Sequence, residues 1–345
     1  MQFGIFDQND YGPYALSEQY DKRLALIEFY DRSGFRTYHM SEHHSTPLNL
    51  TPSPSVFLAA VAQRTKRLRF GALVYVLPAH HPLRLAEEIC MLDHLSRGRL
   101  EVGIGRGASP HELDYFGVDA DVAQAMYVEA YQVIMQALTE SEVNFEGKHY
   151  QFRNVPIDLK PAQLPHPPLW YAVPLPEGAA WPAQNGINIV CAGPVARVRE
   201  ITDRYRAEWL AAGSSLDKLP LLGINRFVLV ADSDREAMAL GRRAWPRFHQ
   251  SFMKLWKLHG TQPRFARMPE DFDTLIENGG GIAGSSATVR DRIRAMTSEA
   301  GANYFIGQFS FGELAHEEVM HSVSLFAREV LPMADGRVAQ AAAGG

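Results

Sequence analysis

Residues 68–104 read LRFGALVYVLPAHHPLRLAEEICMLDHLSRGRLEVGI and contain one complete strand–helix–strand unit. The segments 68–76 and 100–104 are short apolar runs, which are typical of buried strands. Between them, residues 82–96 carry apolar side chains at helical spacing, and Pro82 stands in the first turn, where a proline is tolerated. This order predicts two parallel strands joined by a crossover helix.

The same alternation of strand and helix runs through the rest of the chain. Ser17 is placed to cap a first helix, and Gly34 is placed to end it. Eight such units favour an α/β fold closed as a (β/α)₈ TIM barrel over an open doubly wound sheet. The other predicted strands are 3–6, 37–41, 169–172, 187–190, 221–230 and 304–308, and the other predicted helices are 54–64, 122–138, 178–185, 195–212, 234–257, 288–300 and 314–330.

Three segments do not fit a bare barrel. Residues 142–155 have the pattern of a small hairpin, and residues 261–283, rich in Pro and Gly, predict a mobile flap. The small, polar residues 336–345 predict a flexible tail. No stretch has the composition of an interdomain linker, so residues 1–335 are expected to form a single barrel domain.

Composition excludes several classes of protein. The 345 residues carry a net charge of −5, so nucleic acid and anionic membranes are not expected partners. No apolar run approaches the roughly 20 residues of a membrane-spanning helix, and the first residues lack the basic segment of a signal peptide. The two cysteines, Cys90 and Cys191, are too few for a disulfide framework or a cysteine-rich metal cluster. We therefore expect a cytoplasmic enzyme.

The residues after the predicted strands bring an acid and two imidazoles to one rim. In a barrel, the active site lies at the carboxyl ends of the strands because the following loops converge there. Glu42, His43 and His44 follow the strand 37–41. A single histidine at such a place is more often structural, but two in succession after a carboxylate favour a catalytic role.

Arg106 stands between Gly105 and Gly107 at the end of the strand 100–104. The segment 103–108 matches a loose dinucleotide fingerprint, but no acid ends the next strand as that motif requires, so we discount nicotinamide binding. We interpret the glycines as allowing the backbone to approach a ligand, and Arg106 as a bidentate donor to a phosphate. The alternative is a tight turn whose arginine pairs with a surface acid.

A catalytic metal is not expected. His316 and His321 are five residues apart, whereas chelation from one helix face requires a spacing of four. The adjacent histidine pairs 43–44 and 80–81 would point to opposite sides of an extended chain.

Taken in order, the segments 1–6, 33–35, 42–44, 77–107 and 311–332 resemble the bacterial luciferase family of flavin-dependent monooxygenases. The resemblance spans nearly the whole chain and implies a (β/α)₈ barrel, usually dimeric, that binds FMN at the carboxyl rim. It also implies an enzyme that uses reduced FMN, commonly supplied by a separate flavin reductase. O₂ adds to this flavin to give a peroxide, which transfers one oxygen atom to a small organic substrate.

The resemblance assigns roles to individual residues. His43 matches the catalytic histidine, and Arg106 matches the arginine that binds the flavin phosphate. Leu73 and Val74 match a bulge, often with a cis non-proline peptide, that supports the isoalloxazine ring. The other residues expected to border the flavin are Glu42, Gly105, Cys191, Ala192 and Gly193.

Two departures from luciferase matter. Gly105 replaces a cysteine, so no reactive thiol is expected beside the ring. The loop 172–178, which supplies acid and hydroxyl contacts to the phosphate in luciferase, has no hydroxyl here and few free amides. Phosphate binding is therefore expected to rest on Arg106 and neighbouring backbone.

Two alternatives stay open. One is a deazaflavin-dependent hydride-transfer oxidoreductase on the same barrel, and the other is a non-catalytic flavin-binding subunit, against which the presence of His43 argues. The substrate is expected to be apolar, such as an aldehyde, terpenoid, sulfur compound or ring ketone. The aromatic residues expected to form its pocket are Phe6, Tyr75, Phe309, Phe311 and those of the helix 245–256.

Overall fold

Parallel strands and helices alternate along the computed structural model, which describes residues 1–263 and 268–335. Each of the eight predicted strands is present, within two residues at either end. The strands are β1 (Gln2–Asp7), β2 (Thr37–Met40), β3 (Arg69–Ala72), β4 (Tyr75–Val76), β5 (Val102–Gly105), β6 (Glu142–Glu146), β7 (Gln151–Pro156), β8 (Leu169–Ala172), β9 (Asn188–Cys191), β10 (Leu222–Val230), β11 (Gly281–Gly284) and β12 (Tyr304–Gln308).

The parallel strands form a nearly closed barrel in the order β3, β2, β1, β12, β10, β9, β8, β5, β4. A bulge separates β3 from β4, and the two share one position of the barrel. The β4–β5 pairing and a single bridge between Phe70 and Leu100 bring the two ends of the sheet together. The predicted α/β barrel is therefore confirmed.

Helices cover the outside of the barrel. Gly34, at φ +90°, ends the first helix as predicted, but Ser17 does not cap it, since the helix begins one residue earlier and Ala15 is its N-cap. Within the described ranges, none of the helices has the length and hydropathy that crossing a bilayer requires. The helices are α1 (Leu16–Ser33), α2 (Pro54–Arg64), α3 (Pro82–Ser96), α4 (Pro110–Tyr115), α5 (Ala123–Thr139), α6 (Ala180–Gln184), α7 (Val195–Ala211), α8 (Asp234–Leu258), α9 (Phe272–Glu277), α10 (Ser286–Ala300) and α11 (His316–Glu329).

Of the two predicted insertions into the barrel, the hairpin is present and the flap is only partly as expected. Strands β6 and β7 form the predicted antiparallel hairpin. The prediction of one mobile flap over 261–283 is wrong for its second half, because α9 packs against α8 and the buried strand β11 pairs with β10. Of the glycines at positions 279–281, Gly281 therefore belongs to the sheet. Residues 264–267 and the predicted tail 336–345 lie outside the described residues.

The barrel interior is apolar toward the carboxyl ends of the strands and charged at their amino ends. One buried cluster joins Leu73 of the bulge, Trp170 of β8, Val190 of β9, and Tyr304 and Ile306 of β12. Beneath them lies the fully buried carboxylate of Glu101, which directly precedes β5. It binds Arg36, Arg69 and the indole N–H of Trp170.

Candidate active site

His43 and Arg106 lie at the same rim, the carboxyl end of the barrel. His43 follows β2, and Arg106 directly follows β5. Helix α4 links the two loops, because its Glu112 hydrogen-bonds to His43 and also accepts the backbone N–H of His44. A Cβ on Gly107 would meet Val76 at 2.8 Å, so the loops after β4 and β5 are in direct contact.

His43 is paired with Glu112, a residue that sequence reasoning missed. Its Nδ1 lies 3.1 Å from Oε1 of Glu112, while Oε2 accepts the amide of His44 at 2.8 Å. Burial lowers the pKa of His43, but the adjacent Glu112 carboxylate outweighs it and raises the pKa above its usual value. The pair fixes the ring through Nδ1 and leaves Nε2 for other partners.

Helix α4 positions Glu112 through local capping. The Ser109 side chain accepts the amide of Glu112, and Pro110 occupies the first turn. This Ser-Pro-x-Glu pattern was the only available signal for α4. It says nothing about His43, which is 69 residues away in the chain.

The carboxylate of Glu42 is buried and hydrogen-bonded to other residues of the protein. Its side chain is 0% exposed and accepts hydrogen bonds from Nε2 of His44, from Nε2 of His80 and from the amide of Val76, all within 3.0 Å. Burial raises the pKa of Glu42, but the hydrogen bonds from His44 and His80 outweigh it and lower the pKa to about 2. The ionised carboxylate therefore anchors the β2 loop to the segment after β4.

The Leu73–Val74 peptide is cis, as the resemblance implies for this bulge. The glycines of β5 make room for the residues in and beside this bulge. A Cβ on Gly103 would lie 2.4 Å from the carbonyl oxygen of Ala72, and one on Gly105 would lie 2.4 Å from the Val74 side chain. These two glycines therefore make room for the protein's own backbone and side chains, and the interpretation that they let the backbone approach a ligand stays a prediction.

Arg106 is exposed, and no hydrogen bond or ion pair joins it to the residues that the structure describes. The alternative interpretation, a tight turn whose arginine pairs with a surface acid, is therefore not supported, because Arg106 pairs with no acid among the described residues. This leaves a free guanidinium at the rim, next to the bulge.

The segment after β9 offers backbone and a small side chain rather than a thiol. Cys191 is buried in the outer core, and burial raises the pKa of its thiol to about 12. Ala192 is exposed, and the carbonyl of Gly193 accepts a hydrogen bond from Arg226 at 2.7 Å. Only the backbone and the Ala192 methyl group are available to a bound molecule.

The barrel mouth has the features that a flavin requires. Its floor is apolar, with the half-buried Phe6 and Val74 packed on the interior cluster. Gln8, directly after β1, has a buried Oε1 with no hydrogen-bond partner among the described residues. An apolar floor, an unused carbonyl acceptor and the free Arg106 cation fit a flat heteroaromatic ring with N–H groups and a phosphate. The described residues contain no group of three or more His, Cys, Asp or Glu side chains that could hold a metal ion.

A pocket of about 90 Å³ opens beside His43 and Glu112. The C-terminal half of α8 supplies its apolar wall through Phe252, Leu255 and Trp256. The other lining residues are Thr46, Leu48, Ala108, Ser109 and Pro263.

The predicted aromatic pocket is wrong for most of its members. Phe309 packs against Phe326 at 4.9 Å, and Phe311 packs against Phe227 at 5.5 Å, so both belong to the core between barrel and helices. Tyr75 is fully buried. Of the helix 245–256, only the end containing Trp256 reaches the pocket, because Trp245 faces that same core.

Fold and site together define a barrel enzyme with a histidine–carboxylate pair between the rim that carries Arg106 and an apolar pocket. The chain belongs to the luciferase-like monooxygenase family, whose model matches residues 1–304. It is a flavin-dependent monooxygenase, which confirms the family, the fold and the reaction class predicted from the sequence.

Relatives with curated names support this assignment. An uncharacterized protein, y4wF, of Sinorhizobium fredii is 42% identical over 96% of both chains. Limonene 1,2-monooxygenase of Rhodococcus erythropolis is 30% identical over 91% of this chain and 81% of its own. The oxygenase component of the flavin-dependent trigonelline monooxygenase of Acinetobacter baylyi is 31% identical over 63% of this chain and 61% of its own.

Solved structures share the fold. Monooxygenase RslO1 of Streptomyces bottropensis superposes with a TM-score of 0.86 at 26% identity, covering 96% of this chain and 99% of that one. The oxygenating constituent of 3,6-diketocamphane monooxygenase of Pseudomonas putida, in complex with FMN, gives 0.79 at 22% identity over 96% and 98%. A coenzyme F420-dependent reductase of Methanopyrus kandleri gives 0.70 at 20% identity over 96% and 99%, so the barrel alone does not select the cofactor.

Proposed function

We propose that this monooxygenase binds reduced FMN at the barrel mouth and inserts one oxygen atom into a small apolar substrate held beside His43. The observation that carries the proposal is the His43–Glu112 pair, which lies between an apolar pocket and the rim that holds the unpaired Arg106. Reduced flavin supplies the two electrons with which one atom of O₂ enters the substrate and the other leaves as water.

The residues that would hold FMN lie on β1, in the bulge between β3 and β4, and at the ends of β5 and β9. Leu73, Val74 and Phe6 form the apolar floor for the ring, and the exposed Arg106 would bind the phosphate. Backbone after β9, from Cys191 to Gly193, would border the ring. Gly105 supports Val74 rather than the ring, and Glu42 acts through the β2 loop, since its carboxylate is buried.

His43 would hold or move the proton that the reaction requires. Glu112 orients the imidazole and favours its protonated form, so near neutral pH Nε2 is available both as a donor and, once deprotonated, as a base. The apolar wall of α8 keeps water from the substrate side of this group, which matters because water competes with oxygen transfer.

The reductase, the oligomeric state and the compartment are part of the proposal. One relative is named as an oxygenase component, which supports a separate flavin reductase as partner. A homodimer is supported by the exposed apolar side chains Val56, Met91 and Leu95 on the adjoining helices α2 and α3. We also propose a cytoplasmic location.

The direct test is a product screen with chemically reduced FMN and ¹⁸O₂. Small apolar candidates, including terpenes, ring ketones, aldehydes and sulfides, are expected to yield a product that gains one ¹⁸O atom by mass spectrometry. Binding of FMN and of a deazaflavin to the apoprotein is measured alongside. Tight deazaflavin binding with no ¹⁸O in any product would contradict the proposal in favour of hydride transfer.

Replacing Arg106 by alanine is expected to weaken FMN binding at least tenfold, about 1.4 kcal/mol, the scale of one charge-assisted hydrogen bond. Fluorescence titration measures the affinity. Riboflavin, which lacks the phosphate, should bind both proteins equally. Arg84→Ala, an exposed position on α3, is the control. Unchanged FMN affinity in Arg106→Ala would place the phosphate elsewhere.

Glu112→Gln is expected to move the pH profile of kcat/KM. Glutamine keeps one acceptor oxygen for the amide of His44, but it turns its NH2 group toward Nδ1 of His43 and removes the negative charge that raises the pKa of His43. The inflection that belongs to His43 should therefore shift to lower pH. Asp114→Asn, an exposed change of the same charge on α4, should leave it in place. An unshifted inflection in Glu112→Gln would argue against His43 as the titrating group.

A further inference from the structure

Three tyrosines and a tryptophan cluster next to Arg106, outside the barrel between β8, α5 and α6. We call Tyr127, Tyr131, Tyr171 and Trp181 the tyrosine cluster. The ring of Tyr171 lies 6.5 Å from that of Tyr127 and 5.5 Å from that of Trp181, which in turn lies 5.3 Å from Tyr131. Neither the family assignment nor the proposed mechanism uses this group.

Tyr127 carries a buried hydroxyl that nothing in the described protein satisfies. The side chain is 6% exposed, and its oxygen has no hydrogen-bond partner among the described residues. Tyr127 lies in the second turn of α5, and helical side chains lean toward the helix N-terminus, which here is the end nearer the rim. A buried hydroxyl without a partner is unfavourable, so this one indicates a missing acceptor.

Tyr171 connects this hydroxyl with Arg106. Tyr171 pairs with Ile104 across β8 and β5, and Arg106 follows Ile104 by two residues. Burial raises the pKa of Tyr171, and the positive charge of Arg106 opposes that rise. The rings of Tyr127 and Tyr171, 6.5 Å apart, and the Arg106 cation thus belong to neighbouring segments, α5, β8 and the loop after β5. Hydroxyl donors beside a guanidinium are a typical set of ligands for a phosphate.

The neighbouring loop, residues 172–178, has few backbone amides left for these contacts. The amide of Val173 donates to Val190, and that of Gly178 donates to Leu175. Pro174 and Pro176 have no amide hydrogen. Donors for the phosphate must therefore come largely from side chains on other elements.

We propose that the hydroxyls of Tyr127 and Tyr171 bind the flavin phosphate together with Arg106, in place of the loop contacts that this chain lacks. This inference rests on the proposed use of FMN. It assigns to α5 and β8 a part of the cofactor site that the loop after β8 does not provide.

The test compares FMN with riboflavin, because only FMN carries the phosphate. Dissociation constants of both flavins are measured by fluorescence for wild type, Tyr127→Phe, Tyr171→Phe and Tyr131→Phe. The first two variants are expected to lose about tenfold in FMN affinity and to bind riboflavin as wild type does. Tyr131, one turn farther from the rim, is the matched control and should change neither constant. Apo Tyr127→Phe should melt no lower than wild type, since its hydroxyl has no partner in the described protein.

The outcomes separate the two proposals. Wild type that binds neither flavin would overturn the proposed function. Wild type that binds both equally, or tyrosine variants that keep the wild-type preference for FMN, would overturn the tyrosine phosphate site alone. Equal losses for FMN and riboflavin, or an equal loss in Tyr131→Phe, would also overturn it, because they would trace the effect to packing.

Discussion

His43→Ala is expected to lower product formation by about 100- to 10,000-fold while FMN binding stays near the wild-type value. The range is that of a positioned acid or base. The expected selectivity follows from the geometry, because His43 faces the pocket and Glu112 rather than the apolar floor of the barrel mouth. Product formation is measured with chemically reduced FMN, so that no reductase limits the rate, and FMN binding is measured by fluorescence.

A matched change elsewhere controls for the loss of an imidazole. His321→Ala removes a half-exposed histidine on α11 and should leave turnover unchanged. Oxygen consumption by His43→Ala should continue without matching product, since reduced flavin reacts with O₂ on its own. Product formation by His43→Ala at the wild-type rate would show that another group handles the proton.

Glu101→Gln is expected to destabilise the fold by about 3 kcal/mol, the lower end for breaking a buried ion pair. The carboxylate of Glu101 is 0% exposed and binds Arg36 at 2.8 Å, Arg69 at 2.6 Å and the indole N–H of Trp170 at 2.7 Å. Both arginines are about a quarter exposed, which limits the loss. The amide would leave their two positive charges facing each other at the amino end of the barrel.

Chemical denaturation at pH 7 measures this loss, with the exposed Glu87→Gln on α3 as control. Burial raises the pKa of Glu101, but the two arginines outweigh it and lower the pKa below the usual value. The stabilisation is therefore present above the unfolded pKa and lost as the pH falls through the folded one. The gap between wild type and Glu101→Gln should narrow in acid. A gap that is absent at pH 7 would show that the arginines find other partners.

Much of the fold could be predicted from the sequence because the signals for strands and helices are local. The apolar runs of the eight strands, the proline at the start of α3 and Gly34 at the end of α1 each act within a few residues. Their strict alternation leads to a parallel barrel. The same order of local motifs led to the family, and through it to His43, Arg106 and the Leu73–Val74 bulge.

The sequence by itself determined the elements, their order and the rim at which the active site lies. Only the tertiary structure decided which side chains meet there: Glu112 with His43, His80 with Glu42, and Tyr127 with Tyr171. It also showed that Gly103 and Gly105 accommodate the protein's own bulge, and that Phe309 and Phe311 belong to the core. The physical reason is distance along the chain. Hydrogen bonds and burial depend on groups tens of residues apart, and no local pattern records which of them the closing of the barrel will bring together.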